Sequence, residues 1–171
     1  GNPHYVPSLF IDEVNTLRAD KNPAFADAKA RYWLAYLDGK IVGRVAAILV
    51  TKHESKWGEK YMRFGWLDFI DNPEVVQALM GTVENWAREL GMNGLHGPLG
   101  FTDIDREGLL IEGFDEDATL VTLYNYPYYQ KRLEELGFVK DVDWVEYEIA
   151  LSDNSMEKLR KLLNLSPRNI T

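Results

Sequence analysis

The sequence predicts a mixed α/β domain, in which a mixed central sheet is flanked by helices, and three observations carry this prediction. Two apolar-rich runs are joined by Asp38-Gly39, a dipeptide that favours tight hairpins. A long amphipathic pattern with start and stop signals follows over residues 73–90. A second amphipathic helix ends at Gly137 and leads into an alternating run. The resulting order of elements differs from the regular strand–helix alternation of a doubly wound fold.

The composition is ordinary for a globular protein of 171 residues, with 46% hydrophobic and 27% charged residues. No internal repeat, low-complexity tract or Ser/Gly/Pro-rich linker interrupts the chain, which predicts one continuous domain over residues 1–151. We expect residues 152–171 to form a C-terminal helix that starts a truncated region. Cysteine is absent, which excludes a disulfide framework, a thiolate zinc site and a cysteine nucleophile within this chain.

The formal net charge of -8 favours partners of positive charge. Such a surface repels a phosphate backbone, and the 19 Lys and Arg residues form no basic stripe, so we expect no nucleic-acid partner. A cationic small-molecule amine is a better match, and the charge also fits a role in solubility alone. No apolar run approaches the ~20 residues of a membrane helix, and no signal peptide is seen. We therefore expect a cytoplasmic protein without a membrane partner, and an additional domain or a homodimer stays open.

The N-terminal region is predicted to be helical. Residues 7–18 carry apolar side chains from Leu9 and Phe10 to Leu17, which are spaced for one side of a helix. Asn22-Pro23 then predicts a turn-like piece, because asparagine and proline favour turn initiation.

A hairpin follows this region. Arg31–Leu37 and Lys40–Thr51 are predicted to pair as antiparallel strands about Asp38-Gly39. The second run shows little polar alternation, as expected for a strand that is covered on both faces. Gly43 within it predicts close packing or a bulge.

The centre of the chain is predicted to contain a strand and the longest helix. Tyr61–Ile70 is the predicted strand, and Asp71-Asn72-Pro73 supplies a capping asparagine and a proline suited to the first helical turn. Gly91 ends the helix. Its predicted buried residues are Val75, Val76, Leu79, Met80, Val83, Trp86, Ala87 and Leu90.

The C-terminal half alternates short elements and loops. Leu95–Phe101 predicts a short strand, and Thr102–Leu120 predicts an irregular acidic loop held by apolar residues. The helix before Gly137 is followed by an alternating run at 144–151, which predicts a strand. Residues 155–165 then predict a last helix.

Five strings in this chain are distinctive when taken together: KNPAF, DGKIVGRVAAI, GPLGF, GLLIEGF and YNYPYY. They resemble the GNAT superfamily of acyl-CoA N-acyltransferases, in particular mostly uncharacterised bacterial GNAT-like proteins, and the likeness in element order covers residues 31–151. The resemblance implies a GNAT-like fold. It also implies direct transfer of an acyl group, acetyl in the first instance, from acetyl-CoA or another acyl-CoA to a small-molecule amine.

The resemblance also implies where the acyl-CoA lies. The pantetheine arm is expected to pair with backbone groups near the end of the central strand, at Phe69 and Ile70. Asn72, at the start of the following helix, is a further candidate for cofactor contact. Asn125 is similar to the asparagine with which the last helix of the family begins.

One family motif, the glycine-bearing phosphate loop, is missing. Residues 71–74 read Asp-Asn-Pro-Glu in its place. Pro73 lacks a backbone donor, and the two carboxylates bring negative charge to a helix N-terminus that would otherwise suit a pyrophosphate. These carboxylates equally suit helix caps. Two hypotheses follow: an altered loop that still binds the cofactor, or a non-catalytic GNAT-like ligand-binding or docking module that has lost it.

Amide formation needs a proton acceptor for the ammonium substrate and a proton donor for the departing thiolate. Many GNAT enzymes place a donor tyrosine in the helix before Gly-Phe. Leu133 occupies that position here, so Tyr129, one turn earlier, is the candidate, with core packing as the alternative. Glu112 is the first candidate acceptor, because apolar neighbours raise a carboxylate pKa. Asp103 and Asp105 are further candidates, Asp103 also for substrate contact, and solvation is the alternative for all three.

The remaining constellations involve aromatic residues and histidines. Tyr124 and Tyr126 are candidates for enclosing a cationic amine with their ring faces, with packing as the alternative. His4, His53 and His96 are too dispersed for a metal site, so no metal is predicted.

Overall fold

The computed structural model describes residues 2–51, 60–147, 160 and 161. The chain divides into two compact units, Gly1–Val139 and Lys140–Thr171. All regular elements named below lie in the first unit. They are α1 (Phe10–Thr16), a 3-10 helix (Pro23–Ala26), β1 (Ala28–Leu37), β2 (Lys40–Val50), β3 (Tyr61–Phe69), α2 (Pro73–Glu89), β4 (Gly94–His96) and α3 (Tyr128–Glu135).

The four strands form one mixed sheet in the order β1-β2-β3-β4. The β1–β2 and β2–β3 pairs are antiparallel, whereas β3 and β4 are parallel. This mixed α/β architecture confirms the predicted fold class, and its order of elements is consistent with a GNAT-like fold.

The hairpin between β1 and β2 forms as predicted. Asp38 and Gly39 both adopt left-handed backbone angles, with φ of 50° and 75°, as a type I′ turn requires. The register shifts between Ala35 and Tyr36, opposite the region of Gly43. A Cβ atom on Gly43 would lie 2.8 Å from Leu79 Cδ1, so both the bulge and the close packing predicted for Gly43 are present.

Helix α2 begins and ends at the predicted signals. The Asn72 side chain accepts a 2.8 Å hydrogen bond from the Glu74 N–H, and Pro73 occupies the first turn. Gly91 follows the helix with φ of 72°. The buried face confirms the prediction except at Leu90, which is only partly buried; it comprises Val75, Val76, Leu79, Met80, Val83, Trp86 and Ala87.

The sheet carries apolar clusters on both faces. Val45 and Phe64 belong to the cluster that contains α2, and Ile48 and Phe101 belong to the cluster on the opposite face. Strand β2 supplies residues to both clusters, which confirms that it is covered on both sides.

The N-terminal helix is shorter and more exposed than predicted. It begins at Phe10, and Leu9 is its extended N-cap residue. Leu9 and Phe10 are 58% and 82% exposed, whereas Val14 and Leu17 are partly buried. The prediction of one packed side is therefore wrong at Leu9, which lies before the helix, and at Phe10, whose side chain stays exposed in the first turn.

Two predicted strands near the C-terminal end differ in the structure. Strand β4 ends at His96 instead of Phe101, because only its first residues pair with β3. In the second unit, residues 144–147 form no regular secondary structure, and Trp144 and Tyr147 are exposed. An alternating pattern makes a strand only where a neighbour pairs with its backbone.

Parts of two predictions lie outside the described residues. These are the strand residues 148–151 and the helix 155–165, of which only Arg160 and Lys161 are described, both helical. Within the described parts of the chain, no helix has the length and apolar character needed to cross a membrane.

Candidate functional site

The candidate site lies where β3 and β4 separate. The two strands pair only over Tyr61–Arg63 and Gly94–His96, and the Leu99 N–H then donates to the Phe64 carbonyl at 2.7 Å. Further along β3, Trp66 adopts a left-handed backbone with φ of 45°. In the described part of the chain, the end of β3 therefore has β2 on one side and no strand on the other.

Two tyrosines of α3 occupy this unpaired edge. The Tyr129 hydroxyl accepts a hydrogen bond from the Phe69 N–H at 3.2 Å, and the Tyr128 hydroxyl donates to the Phe69 carbonyl at 2.5 Å. The Tyr129 hydroxyl also donates to the Asp68 carboxylate. Side-chain hydroxyls thus take the place of a neighbouring strand at Phe69, and pairing of its backbone with a pantetheine arm stays a prediction.

Tyr129 combines a buried ring with a hydroxyl at the edge of the sheet. The residue is 4% exposed, and its ring centroid lies 4.3 Å from that of Phe69. Burial raises the pKa of Tyr129 far above its usual value, and the hydrogen bond to Asp68 raises it further. Because the hydroxyl keeps its proton, Tyr129 can donate a hydrogen bond or a proton but cannot act as a base.

Tyr128 and Tyr126 extend this aromatic surface. Burial raises the pKa of Tyr128, and the charge of Asp68 adds to the effect. The Tyr126 ring is parallel to that of Tyr128 within 10°, with centroids 5.7 Å apart. Tyr126 is half-exposed, so a ring that we predicted for substrate contact lies at this site.

An ion pair connects α3 to the start of α2. The Arg132 Nε lies 2.8 Å from Asp71 Oδ1, and Arg132 also contacts Glu135 at 2.8 Å. Hydrogen bonds to Glu135 and Asp71 raise the pKa of Arg132. The Asp71 carboxylate therefore binds a protein cation, whereas the cap of the helix is Asn72 and not Asp71.

The start of α2 is occupied by its own capping groups. The Asn72 side-chain oxygen is engaged with the Glu74 N–H, and the Ile70 N–H donates to the Val42 carbonyl at 3.0 Å. Asn72 lines a cavity of about 190 Å³ together with Tyr36, and this cavity lies on the β1 side of the helix.

Asn125 and Tyr124 hold the loop that precedes α3. Asn125 is buried; its side chain accepts from the Leu110 N–H at 2.7 Å and donates to the Leu110 carbonyl at 3.1 Å. The Tyr124 hydroxyl donates to the Phe114 carbonyl at 2.7 Å and accepts from the Asn2 amide. Both side chains make the contacts of structural residues, and cofactor contact for Asn125 and substrate contact for Tyr124 stay predictions.

None of the hydrogen bonds described for Tyr128 and Tyr129 involves a carboxylate of the acidic loop. Glu112 and Asp103 are exposed, and the Asp105 carboxylate accepts from the Thr102 N–H at 2.9 Å. Their proposed roles as proton acceptors or substrate contacts stay predictions.

Glu107 is the loop carboxylate with the most perturbed surroundings. Partial burial raises its pKa, Asp103 adds to the rise, and the neighbouring Arg63 opposes it. The apolar residues that follow Glu107 are the same signal that selected Glu112, so the sequence contained evidence for it.

A larger cavity, of about 450 Å³, lies at the other end of the sheet. Its lining includes Arg88 of α2, Leu95 of β4 and Phe138. No residue of β3 lines it, so it is distinct from the edge occupied by the tyrosines. Among the residues that the structure describes, no group of His, Asp and Glu side chains is arranged to hold a metal ion.

Asp68 is the residue at this site that sequence reasoning missed. It is exposed, yet its carboxylate is positioned by the Tyr129 hydroxyl. The available signal was its place as the only acidic residue within the apolar run Tyr61–Ile70.

Comparison with known proteins finds two curated relatives. The chain is 33% identical over 171 residues to Protein YghO of Escherichia coli (strain K12), covering 99% of this chain and 44% of that protein. It is 29% identical over 149 residues to Bacterial ceramide synthase of Caulobacter vibrioides (strain NA1000 / CB15N), covering 86% of this chain and 38% of that protein. This chain therefore spans less than half the length of each relative. No family model and no solved structure matches the chain.

Proposed function

We propose that this chain is part of an acyltransferase that forms an amide bond, moving an acyl group from acyl-CoA or a related thioester to an amine. Support comes from its similarity to a protein named ceramide synthase over 86% of the chain. A ceramide is an amide between a fatty acyl chain and a long-chain amino alcohol. The same similarity favours long acyl chains and lipid amines over the acetyl group and small amines that the strings implied.

The observation that carries the proposal is the separation of β3 from β4 next to a hydroxyl-bearing helix. Separated parallel strands leave room for an extended ligand that pairs with backbone groups. The Tyr128 and Tyr129 hydroxyls now bond the backbone of Phe69. A pantetheine arm would take over these bonds, which makes displacement of the hydroxyls part of donor binding.

The site supplies one of the groups that the reaction needs. Amide formation requires loss of a proton from the ammonium, attack on the thioester carbonyl and protonation of the departing thiolate. Tyr129 holds its proton across the neutral range, which is the state that a proton donor to the thiolate must have. Glu107 also has a raised pKa, but the groups that act on it are those of the acidic loop, Arg63 and His96, so it is not assigned to the tyrosine site.

The test is binding and transfer with matched donors. Calorimetry would compare acetyl-CoA, palmitoyl-CoA and free CoA, and mass spectrometry would detect amide formed from a long-chain amine. We expect palmitoyl-CoA to bind more tightly than acetyl-CoA and Tyr129→Phe to lower the rate by at least about tenfold. The proposal would be contradicted if no donor at millimolar concentration gave either binding heat or amide product.

A second candidate function is a non-catalytic ligand-binding or docking module. It is favoured by the start of α2, where Asn72, Pro73 and the Asp71–Arg132 pair occupy the place of a phosphate loop. This candidate predicts binding of an amine or lipid without any transfer, so the product assay separates the two functions.

A further inference from the structure

Asp68 is a carboxylate on an exposed surface whose position is nevertheless defined. It lies at the end of β3 and is directly opposite Arg44 of β2. The carboxylate accepts the Tyr129 hydroxyl proton in a hydrogen bond, and among the described residues it forms no ion pair. A carboxylate has about four acceptor positions, so most of its hydrogen-bonding capacity remains for a ligand.

The hydroxyl that holds Asp68 is itself well held. Tyr129 is buried, its ring packs on Phe69, and its hydroxyl also accepts from the Phe69 N–H. One side of the carboxylate is therefore attached to the core of the domain. A charged group held in this way loses less side-chain freedom on binding a ligand than an unrestrained surface carboxylate does.

The Tyr128 hydroxyl lies near this carboxylate, and a further aromatic ring stacks on Tyr128. Tyr128 is close enough to Asp68 for the charge of Asp68 to act on its hydroxyl, and Tyr126 stacks on Tyr128 with its ring half-exposed. A carboxylate beside accessible ring faces suits a cation, because the negative charge and the ring quadrupoles attract the same group. Arg44 is the protein cation directly opposite Asp68 in the sheet, and no ion pair joins the two side chains among those that the structure describes.

We propose that Asp68, held by Tyr129 and flanked by the tyrosine rings, binds the protonated amino group of the acyl acceptor. Asp68 is then a specificity-determining residue that selects amines over alcohols. The identity of this cation as the acyl acceptor rests on the proposed function, whereas the cation site itself does not.

The experiment measures amine binding without any acyl donor. Octylamine and its uncharged match, 1-octanol, are titrated into the full 171-residue chain and followed by amide chemical shifts and calorimetry. We expect octylamine to shift the amides of residues 66–70 and 126–129 and to bind at least about tenfold more tightly than octanol, as for a charge-assisted hydrogen bond.

Two carboxylate variants locate the site. Asp68→Asn keeps the size and an acceptor for Tyr129 but removes the charge, and we expect octylamine binding to weaken about tenfold. Asp115→Asn is the matched control, because Asp115 is an exposed carboxylate of the acidic loop to which no role in binding is assigned; we expect no change. Tyr126→Leu should weaken binding about threefold, whereas Tyr126→Phe, which keeps the ring, should not.

The proposal is overturned by equal affinity for octylamine and octanol in the unmodified protein, which needs no variant to fold. Unchanged binding by a folded Asp68→Asn protein, or shifts confined to other residues, would overturn it as well. Amine binding without acyl transfer would reject the enzymatic function and leave the cation site intact.

Discussion

At the scale of single residues, the hydroxyl of Tyr129 organises the candidate site. It satisfies the Phe69 N–H, orients Asp68 and keeps its own proton because it is buried. Tyr128 satisfies the matching carbonyl. The hydroxyls of two adjacent residues thus complete the edge of a strand. Removing one of them measures how much its hydrogen bond contributes to the stability of the protein.

Tyr129→Phe is expected to lower the free energy of unfolding by about 1–3 kcal/mol, because it leaves the Phe69 N–H without its partner. Urea denaturation at neutral pH measures this change. Tyr126→Phe is the matched control, since it removes a hydroxyl from a half-exposed ring and should change stability by less than about 0.5 kcal/mol. Equal effects of the two substitutions would contradict the proposed role of the Tyr129 hydroxyl.

The pKa of Tyr129 also predicts how stability depends on pH. Above a pH of about 10 an unfolded tyrosine releases its proton, while folded Tyr129 retains it because its pKa is raised. The free energy of unfolding should therefore fall as pH rises. In Tyr129→Phe this fall should be shallower by up to about 1.4 kcal/mol per pH unit.

Urea denaturation at a series of pH values between 9 and 11 (roughly one unit on either side of the ordinary tyrosine pKa) provides the comparison. Parallel pH profiles for the unmodified protein and Tyr129→Phe would show that this hydroxyl is not buried in the folded state.

At the scale of elements, close packing of α2 on the sheet depends on glycine at β2. A Cβ on Gly43 would lie 2.8 Å from Leu79 Cδ1 and 2.9 Å from the Asp68 carbonyl. Gly81, within α2, has open space around its missing Cβ. Glycine is required at position 43 because α2 approaches β2 closely there, whereas glycine at position 81 only weakens the helix.

Substitution of these two glycines by alanine should change the free energy of unfolding in opposite directions. Gly43→Ala is expected to destabilise the protein by about 1–3 kcal/mol through overpacking. Gly81→Ala is expected to stabilise it by about 0.5–1 kcal/mol, since alanine is the better helix former. Thermal or urea unfolding of both variants checks the pair, and stabilisation by Gly43→Ala would mean that α2 lies further from β2.

At the scale of the whole molecule, the net charge indicates which ligands the chain favours, and its length relative to the relatives bears on which activity can be assigned to it. The net charge of -8 favours cations over polyanions. The chain spans less than half of each curated relative, so the activity of the whole protein need not lie in these residues alone. The core is nonetheless assembled within the first unit, since both apolar clusters consist of residues from that unit.

The charge yields a prediction for simple polyelectrolytes. Double-stranded DNA should give no fluorescence-polarisation signal up to a protein concentration of about 100 μM at physiological salt, because the chain has no basic stripe to neutralise phosphates. Spermine, as the cationic counterpart, should bind at low salt and dissociate as salt screens the charges. DNA binding that weakens with salt would reveal a basic surface that composition does not indicate.

Local signals allowed much of the fold to be predicted. Asp38-Gly39, Asn72-Pro73 and Gly91 act within a few residues, so the hairpin and the bounds of α2 followed from the sequence. The N-terminal helix and the strand after Gly137 were less predictable, because Phe10 and Trp144 have apolar character without a partner to cover them. The site was predictable at Tyr129 and Tyr126, which lie in a distinctive string, but not at Asp68.

The sequence by itself determined the class of fold, the start and end of its central helix and the acidic balance that favours cations, since these depend on neighbouring residues or on simple sums. Only the tertiary structure decided that Tyr128 and Tyr129 complete the edge of β3, that Arg132 holds Asp71 and that Tyr129 orients Asp68. The reason is physical: these contacts join residues about 60 positions apart, and the packing of α3 on the end of β3 brings them together.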